Sequence, residues 1–203
     1  MPIRTLTVEF EGAFHAGSGY GLAGRIDRAL TRDREGMPFL PGSAIKGKFR
    51  HASREIAWAL GHAICGEREC LPDVPCIVCR LFGSRFRQGT LVFSDALCLR
   101  DRSPSAAGTM AMHSAPPPIW FERNGVSIDR KLRTAANGRL FRTECAPDEM
   151  TLAGTIDGPF PIETRPDQPK QPEWELIEGA AKCIRFFGGD SSRGLGGCKC
   201  RLV

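Results

Sequence analysis

The sequence predicts an α+β fold, an antiparallel sheet with helices on one face. Three observations carry this. Residues 3–11 alternate polar and apolar side chains, as a half-buried strand does. Two later stretches, one beginning at Ser43 and one around Trp174, repeat apolar residues at helical spacing. The order along the chain is strand, helix, strand, insertion, strand, helix, strand, which suits a ferredoxin-like, RRM-like sandwich. At 203 residues the chain can bury one sizeable core, so a single domain over 1–203 with insertions at about 62–89 and 100–145 is expected.

Taken in order, Leu6, Val8 and Phe10 form the inward face of the first strand. Residues 12–42 are rich in Gly and Arg and read as a long functional loop with a short strand near Ile26–Leu30. Ser43 is the expected N-cap of a helix whose buried face is Ile45, Phe49, Ala52, Ile56 and Leu60, and which Gly61 stops. Residues 62–80 lack apolar periodicity. Thr90–Leu97 reads as one buried strand. Residues 100–145 have no clear period; 103–108 and 116–118 mark loops, and a protruding hairpin is expected to turn at Asn124-Gly125. Met150–Ile156 is a further strand, and 157–172 is a Pro-rich connection. Trp174, Ile177, Ala181 and Ile184 give the second helix its face, and Leu195–Val203 returns as the last strand.

The net charge of +5 permits a nucleic-acid partner without requiring one. The N-terminal residues lack the apolar run of a signal peptide, and no stretch is long and apolar enough to span a bilayer, so the chain reads as cytosolic. Nine cysteines in a reducing compartment are thiols or metal ligands rather than disulfides. Cys65, Cys70, Cys76 and Cys79 fall in a polar loop, and the Cys76-x2-Cys79 knuckle supplies half of a tetrahedral, structural Zn2+ site. His62 is an alternative to one thiolate, and four unrelated thiols are the plain alternative to any metal.

Two glycine-rich basic segments carry the rest of the chemistry. The first runs from Pro41 to Arg50, with Ser43, Lys46, Gly47, Lys48 and Arg50 at the start of the helix. Helix N-terminal N–H groups and lysines suit phosphate, and a glycine in the first turn costs about 1 kcal/mol against alanine, which close approach of a ligand would explain. The alternative is a capped surface helix with solvated lysines. The second holds Gly188, Gly189, Ser192, Arg193, Gly194 and Gly196 before the last strand. A chain that builds such a segment twice is expected to hold a long anion, with nucleic acid first.

Taken together, Pro41-Gly42-Ser43-x-Ile45-Lys46-Gly47-x-x-Arg50 and Gly188-Gly189-x-x-Ser192-Arg193-Gly194-x-Gly196 resemble the RAMP superfamily, the ferredoxin-like RNA-binding proteins of CRISPR–Cas systems. His15-Ala16-Gly17-Ser18-Gly19 with Ile26–Asp33, the Cys76–Ser84 region leading into Leu91–Ala96, and Gly138-x-Leu140-Phe141-x-x-Glu144 are similar to backbone subunits of type III effector complexes. The resemblance implies a subunit that polymerises with copies or homologues of itself along a CRISPR guide RNA, beside other effector subunits. It implies a thumb that interrupts guide–target pairing, and metal-dependent cleavage of target RNA. Asp27 falls on the family's catalytic aspartate, which would act with a divalent cation, Mg2+ or Mn2+. His15 matches a loop histidine, and Gly17 lies in the same loop. Arg25 and Arg28 flank Asp27 and suit RNA phosphates. Three alternatives stand beside this reading: a guide-binding scaffold without catalysis, with Asp27 merely paired to Arg25 or Arg28; a guide-processing endoribonuclease; and a zinc protein unrelated to nucleic acid.

Overall fold

A computed structural model describes residues 3–65, 70, 74–99, 120–158 and 172–203. Strand β1 (Ile3–Phe10) lies at the centre of an antiparallel sheet, with β6 (Thr151–Asp157) on one side and β7 (Cys198–Leu202) on the other. Two short strands, β2 (Val92–Phe93) and β3 (Leu97–Cys98), both pair with β6. The register sets Val8 opposite Leu152 and Cys200, and Phe10 opposite Cys198, so the apolar residues of three strands share one face. Helices α1 (Gly42–Ala59) and α3 (Pro172–Cys183) cover that face, and Ile45, Phe49, Trp174, Ile177 and Ala181 join Leu6, Val8 and Phe10 in one core. The antiparallel α+β sandwich expected from the sequence is the observed fold.

Several local expectations change. Ser43 does not cap α1; the N-cap is Pro41, and the cap comes from across the sheet, where Asp95 Oδ1 accepts the Gly42 N–H at 2.7 Å. A Cβ on Gly42 would lie 2.4 Å from the Phe93 carbonyl oxygen, so this glycine exists to seat the helix on the β2–β3 corner. That same corner breaks the strand expected over Thr90–Leu97. Ser94 Oγ accepts the Thr155 N–H at 2.7 Å, and the chain kinks between β2 and β3. Val92 and Leu97 consequently face solvent, while Leu91 stays buried. Leu60 is exposed rather than part of the buried helix face, although Gly61, at φ +78, does end the helix.

The region expected to be aperiodic contains α2 (Ile77–Phe82), a helix too short to show a period, which buries Val78, Leu81 and Phe82. The short strand expected near Ile26–Leu30 is replaced by isolated bridges, among them Gly17 with Leu30 and Arg28 with Thr143. The hairpin exists, but its turn does not fall at Asn124-Gly125. Strands β4 (Phe121–Asp129) and β5 (Thr134–Cys145) pair along their length, with Asn124 opposite Arg142 and Gly125 opposite Phe141. Asp129 Oδ1 accepts the N–H groups of Lys131 and Leu132, and Arg133 takes a left-handed φ of 54, so the turn lies there. Gly125 instead lets the Phe141 ring lie across it. The expected loops at 103–108 and 116–118 and most of the 157–172 connection lie outside the described residues, as do parts of both expected insertions.

Candidate nucleic-acid interface and metal site

The loop after β1 and the second glycine-rich segment are built against each other. Gly189 N–H donates to the His15 carbonyl at 2.8 Å, and Gly196 N–H donates to the Ala13 carbonyl at 2.8 Å. A Cβ on Gly188, which sits at φ +88, would lie 2.3 Å from the His15 carbonyl oxygen. Gly188 and Gly196 are therefore glycines because two backbones meet, not because a ligand approaches them. This contact carries Asp190 and Arg193 to Arg28: Arg28 Nη1 donates to both carboxylate oxygens of Asp190, at 3.1 and 3.3 Å. Ser192, Arg193 and Gly194 remain exposed on a single 3-10 turn.

His15 is buried, and its Nδ1–H donates to the Glu144 carbonyl at 2.7 Å. That bond leaves Nε2 as the free ring nitrogen, and a Cβ on Gly17 would lie 3.0 Å from it. His15, Gly17, Gly19, Tyr20, Asp27 and Arg28 line one cavity of about 320 Å3. Asp27 is exposed, yet its Oδ2 accepts the Arg142 N–H at 2.7 Å while its own N–H donates to the Arg142 carbonyl at 3.0 Å. The hairpin strand thus fixes the carboxylate and leaves Oδ1 open. Arg25 is largely exposed and reaches Glu122 of β4 at 4.0 Å.

Glu144 is the residue that residue-by-residue sequence reasoning passed over. It is 1% exposed, and its Oε2 accepts the Leu30 N–H at 2.9 Å and the Arg32 guanidinium. Arg32 in turn lies over the Trp120 ring at 4.4 Å. A buried carboxylate so placed clamps the far end of the Asp27 loop to β5; its Oε1 has no partner. The sequence signals were its place at the end of the Gly138-x-Leu140-Phe141-x-x-Glu144 motif and a charge immediately before the apolar Cys145-Ala146, neither of which states what it holds.

The first basic segment sits elsewhere on the sandwich, along α1. Ser43, Gly47 and Arg50 are exposed, and Lys46 Nζ donates to the Leu91 carbonyl at 3.4 Å. The Cys198 thiol is held below its ordinary range chiefly by a hydrogen bond from Cys200, and Lys48 is half-buried on α1. Gly47 has nothing within 4 Å of where a Cβ would be, so packing gives no reason for it.

The four cysteines come together as expected: the sulfurs of Cys65, Cys70, Cys76 and Cys79 all lie within 4.8 Å of one another. Cys65 Sγ is 3.4 Å from Cys79 Sγ and 3.8 Å from Cys76 Sγ. Sulfurs on a tetrahedral zinc, each at ~2.3 Å from the metal, would be about 3.8 Å apart, so the cluster fits that ion. The Cys76 N–H donates to Cys70 Sγ at 3.1 Å and the Cys79 N–H to Cys76 Sγ at 3.5 Å, the bonds that stabilise thiolates. Burial opposes ionisation of Cys76, but hydrogen bonds from Cys65 and Cys79 bring it down to about 7; burial pushes Cys65 and Cys79 up. His62 lies outside the group. Four protein ligands make the site structural, compatible with zinc. At Asp27, by contrast, a cation would find one open carboxylate oxygen and would need its other ligands from elsewhere. Among the described residues no helix is long and apolar enough to cross a membrane.

These features define a ferredoxin-like α+β protein with a thiolate knuckle and a glycine- and arginine-rich edge. The family model of the RAMP superfamily matches residues 7–199, and the chain belongs to that superfamily. Solved structures that share the fold include two chains of one kind of complex. One is a chain of the type III-B Cmr-beta complex bound to cognate target RNA, by cryo-EM, with 12% identity and a TM-score of 0.65; the alignment covers 100% of this chain and 97% of that one. The other is a chain of the apo Cmr-beta complex, with 13% identity and a TM-score of 0.65, covering 99% and 97%. No curated protein matches the sequence.

Proposed function

We propose that this protein is a guide-RNA-binding backbone subunit of a type III CRISPR effector, and that it cleaves complementary target RNA beside Asp27. Membership of the RAMP superfamily and the fold shared with Cmr-beta chains support the first part. The observation that carries the second is an exposed carboxylate, fixed by the Arg142 backbone, in one cavity with a buried histidine and flanked by arginines. Polymerisation along the guide, beside other effector subunits, belongs to the same reading. Lys46, Lys48, Arg50 and Arg193 would hold guide phosphates. The β4–β5 hairpin exposes Val126, Ile128, Leu132 and Leu140, as a thumb inserted between paired bases would.

Cleavage would proceed by in-line attack of a target 2′-oxygen on the adjacent phosphorus, with rupture of the bond to the 5′-oxygen. The products are a 2′,3′-cyclic phosphate and a 5′-hydroxyl, the 2′-hydroxyl proton leaving and the 5′-oxygen taking one up. Asp27 would hold a divalent cation, which would supply neutralisation of the charge developing on the phosphate. Asp27 would orient the target backbone from its fixed position. Arg25 and Arg28 would hold the flanking phosphates, and the fixed tautomer of His15 offers Nε2 as a proton acceptor toward the cavity.

A scaffold without catalysis is the second reading, and one observation favours it: Asp27 already has a structural job on the Arg142 N–H. Asp27→Ala in the assembled complex separates the two. The catalytic reading expects cleavage to vanish with guide and target binding kept; the scaffold reading expects no cleavage in wild type either.

A further inference from the structure

We propose that the root of the β4–β5 hairpin is a second anion site, built for one RNA phosphodiester and guarded in the free protein by its own Asp190 carboxylate. The inference rests on the RNA-binding reading above and deepens it.

A cavity of about 210 Å3 opens there, lined by Arg123, Asn124, Phe141, Thr143, Asp190 and Arg193. Thr143 is 2% exposed, and its Oγ1 has no hydrogen-bond partner. A buried hydroxyl without a partner is costly, and this one belongs to the wall of a cavity rich in guanidinium groups. A turn of the Thr143 rotamer toward the cavity would let an oxygen of a bound anion satisfy it.

The arginines are arranged in advance. Arg28 and Arg193 lie over the Phe141 ring at 5.3 and 5.4 Å, and that ring is laid across Gly125. Arg123 Nη2 donates to the Arg193 carbonyl at 3.5 Å. Stacking and backbone contacts restrict these long side chains, so less freedom is lost when an anion arrives. The Phe141 ring is already engaged by Gly125 and both arginines, which favours an anion over a stacked base.

Asp190 stands in for that anion. Its carboxylate takes Arg28 on both oxygens and lies 3.6 Å from Arg193 Nη1. Two guanidiniums on one carboxylate leave positive charge in excess, and Arg123 lines the same cavity. A carboxylate held by arginine forks is the side-chain counterpart of a phosphate held the same way. Asp190 also sits at a left-handed φ of 57, which asparagine tolerates as well as aspartate, so its charge can be removed without forcing the backbone.

The test measures affinity of the purified full chain for a labelled, mixed-sequence single-stranded RNA over a range of salt. Asp190→Asn is compared with Thr143→Val and with Glu11→Gln, which removes a carboxylate paired to Lys199 on β7. Asp190→Asn is expected to tighten binding several-fold and to steepen log K against log salt by about 0.7, one phosphate's worth on a single strand. Thr143→Val is expected to weaken binding several-fold while the melting temperature stays at or above that of wild type, since an unpartnered buried hydroxyl is removed. Inorganic phosphate at matched ionic strength should compete with RNA better than chloride does.

Weaker or unchanged binding by Asp190→Asn would make Asp190 a structural ion pair and overturn the site. Equal tightening by Glu11→Gln would reduce the effect to net charge and overturn it too. Phosphate competition with no change in RNA salt dependence would leave a free-phosphate pocket, against the proposal. RNA binding by wild type with flat variants sinks this site alone, whereas no RNA binding by wild type sinks the underlying reading with it.

Discussion

Removing the Glu144 carboxylate tests how the Asp27 loop is held to the hairpin strand. In Glu144→Ala the Leu30 N–H loses its acceptor inside the protein, at a cost of about 1–3 kcal/mol. The Arg32 guanidinium loses its partner but is 27% exposed and can turn to water, so that part is discounted to roughly 1 kcal/mol. Glu144 Oε1 is already without a partner, and removing it returns part of the cost. The net expectation is about 2 kcal/mol, or a fall in Tm of roughly 4–8 °C for a chain of this size. Glu144→Gln keeps an acceptor for Leu30 and should lose about 1 kcal/mol, roughly 2–4 °C. Thermal unfolding followed by far-UV circular dichroism reads both. If both variants melt within about 1 °C of wild type, the clamp is not holding the loop and the reasoning fails.

Other outcomes follow from the same geometry. Metal analysis should find about one zinc per chain, and Cys76→Ser with Cys79→Ser should abolish it and lower solubility, because α2 then loses the cluster that anchors its start; full occupancy in the double variant would remove the assignment. Gly47→Ala should raise helix stability by about 0.5–1 kcal/mol, since nothing crowds the new methyl, yet weaken RNA binding; equal binding would return Gly47 to chance. Lys46→Ala combined with Arg193→Ala should weaken guide binding and flatten its salt dependence, with guide sequence mattering little; unchanged affinity at physiological salt would count against those two contacts.

What was legible in the sequence was whatever a single element states about itself. Leu6, Val8 and Phe10 declare a half-buried strand, Trp174, Ile177, Ala181 and Ile184 declare a helix face, and all of them enter the core. The cysteine knuckle was legible because its ligands are close in sequence. What stayed hidden depends on distant partners. Asp95 caps a helix 53 residues away, a bond no local pattern encodes, and so Ser43 took its place in the reading. Asn124-Gly125 looked like a turn because glycine has two uses, and here the Phe141 ring claims it. Gly188 and Gly196 suggested a ligand, yet they face the backbone of the Ala13–His15 segment and the Phe187 carbonyl. Glu144 and Asp190 were visible as letters, but their roles exist only once the loop, the hairpin and the last turn are brought together.

The central claim is that Asp27 serves the chemistry and not only the backbone of β5. Asp27→Asn separates the two roles, because an asparagine oxygen can still accept the Arg142 N–H while the charge that attracts a divalent cation is gone. The measurement is cleavage of labelled target RNA by the guide-loaded complex, with the product ends identified and binding recorded in parallel. Wild type is expected to yield a 2′,3′-cyclic phosphate and a 5′-hydroxyl, and Asp27→Asn is expected to bind guide and target as wild type does without cutting. Cutting by Asp27→Asn at the wild-type positions and rate would make Asp27 a structural residue and contradict the account.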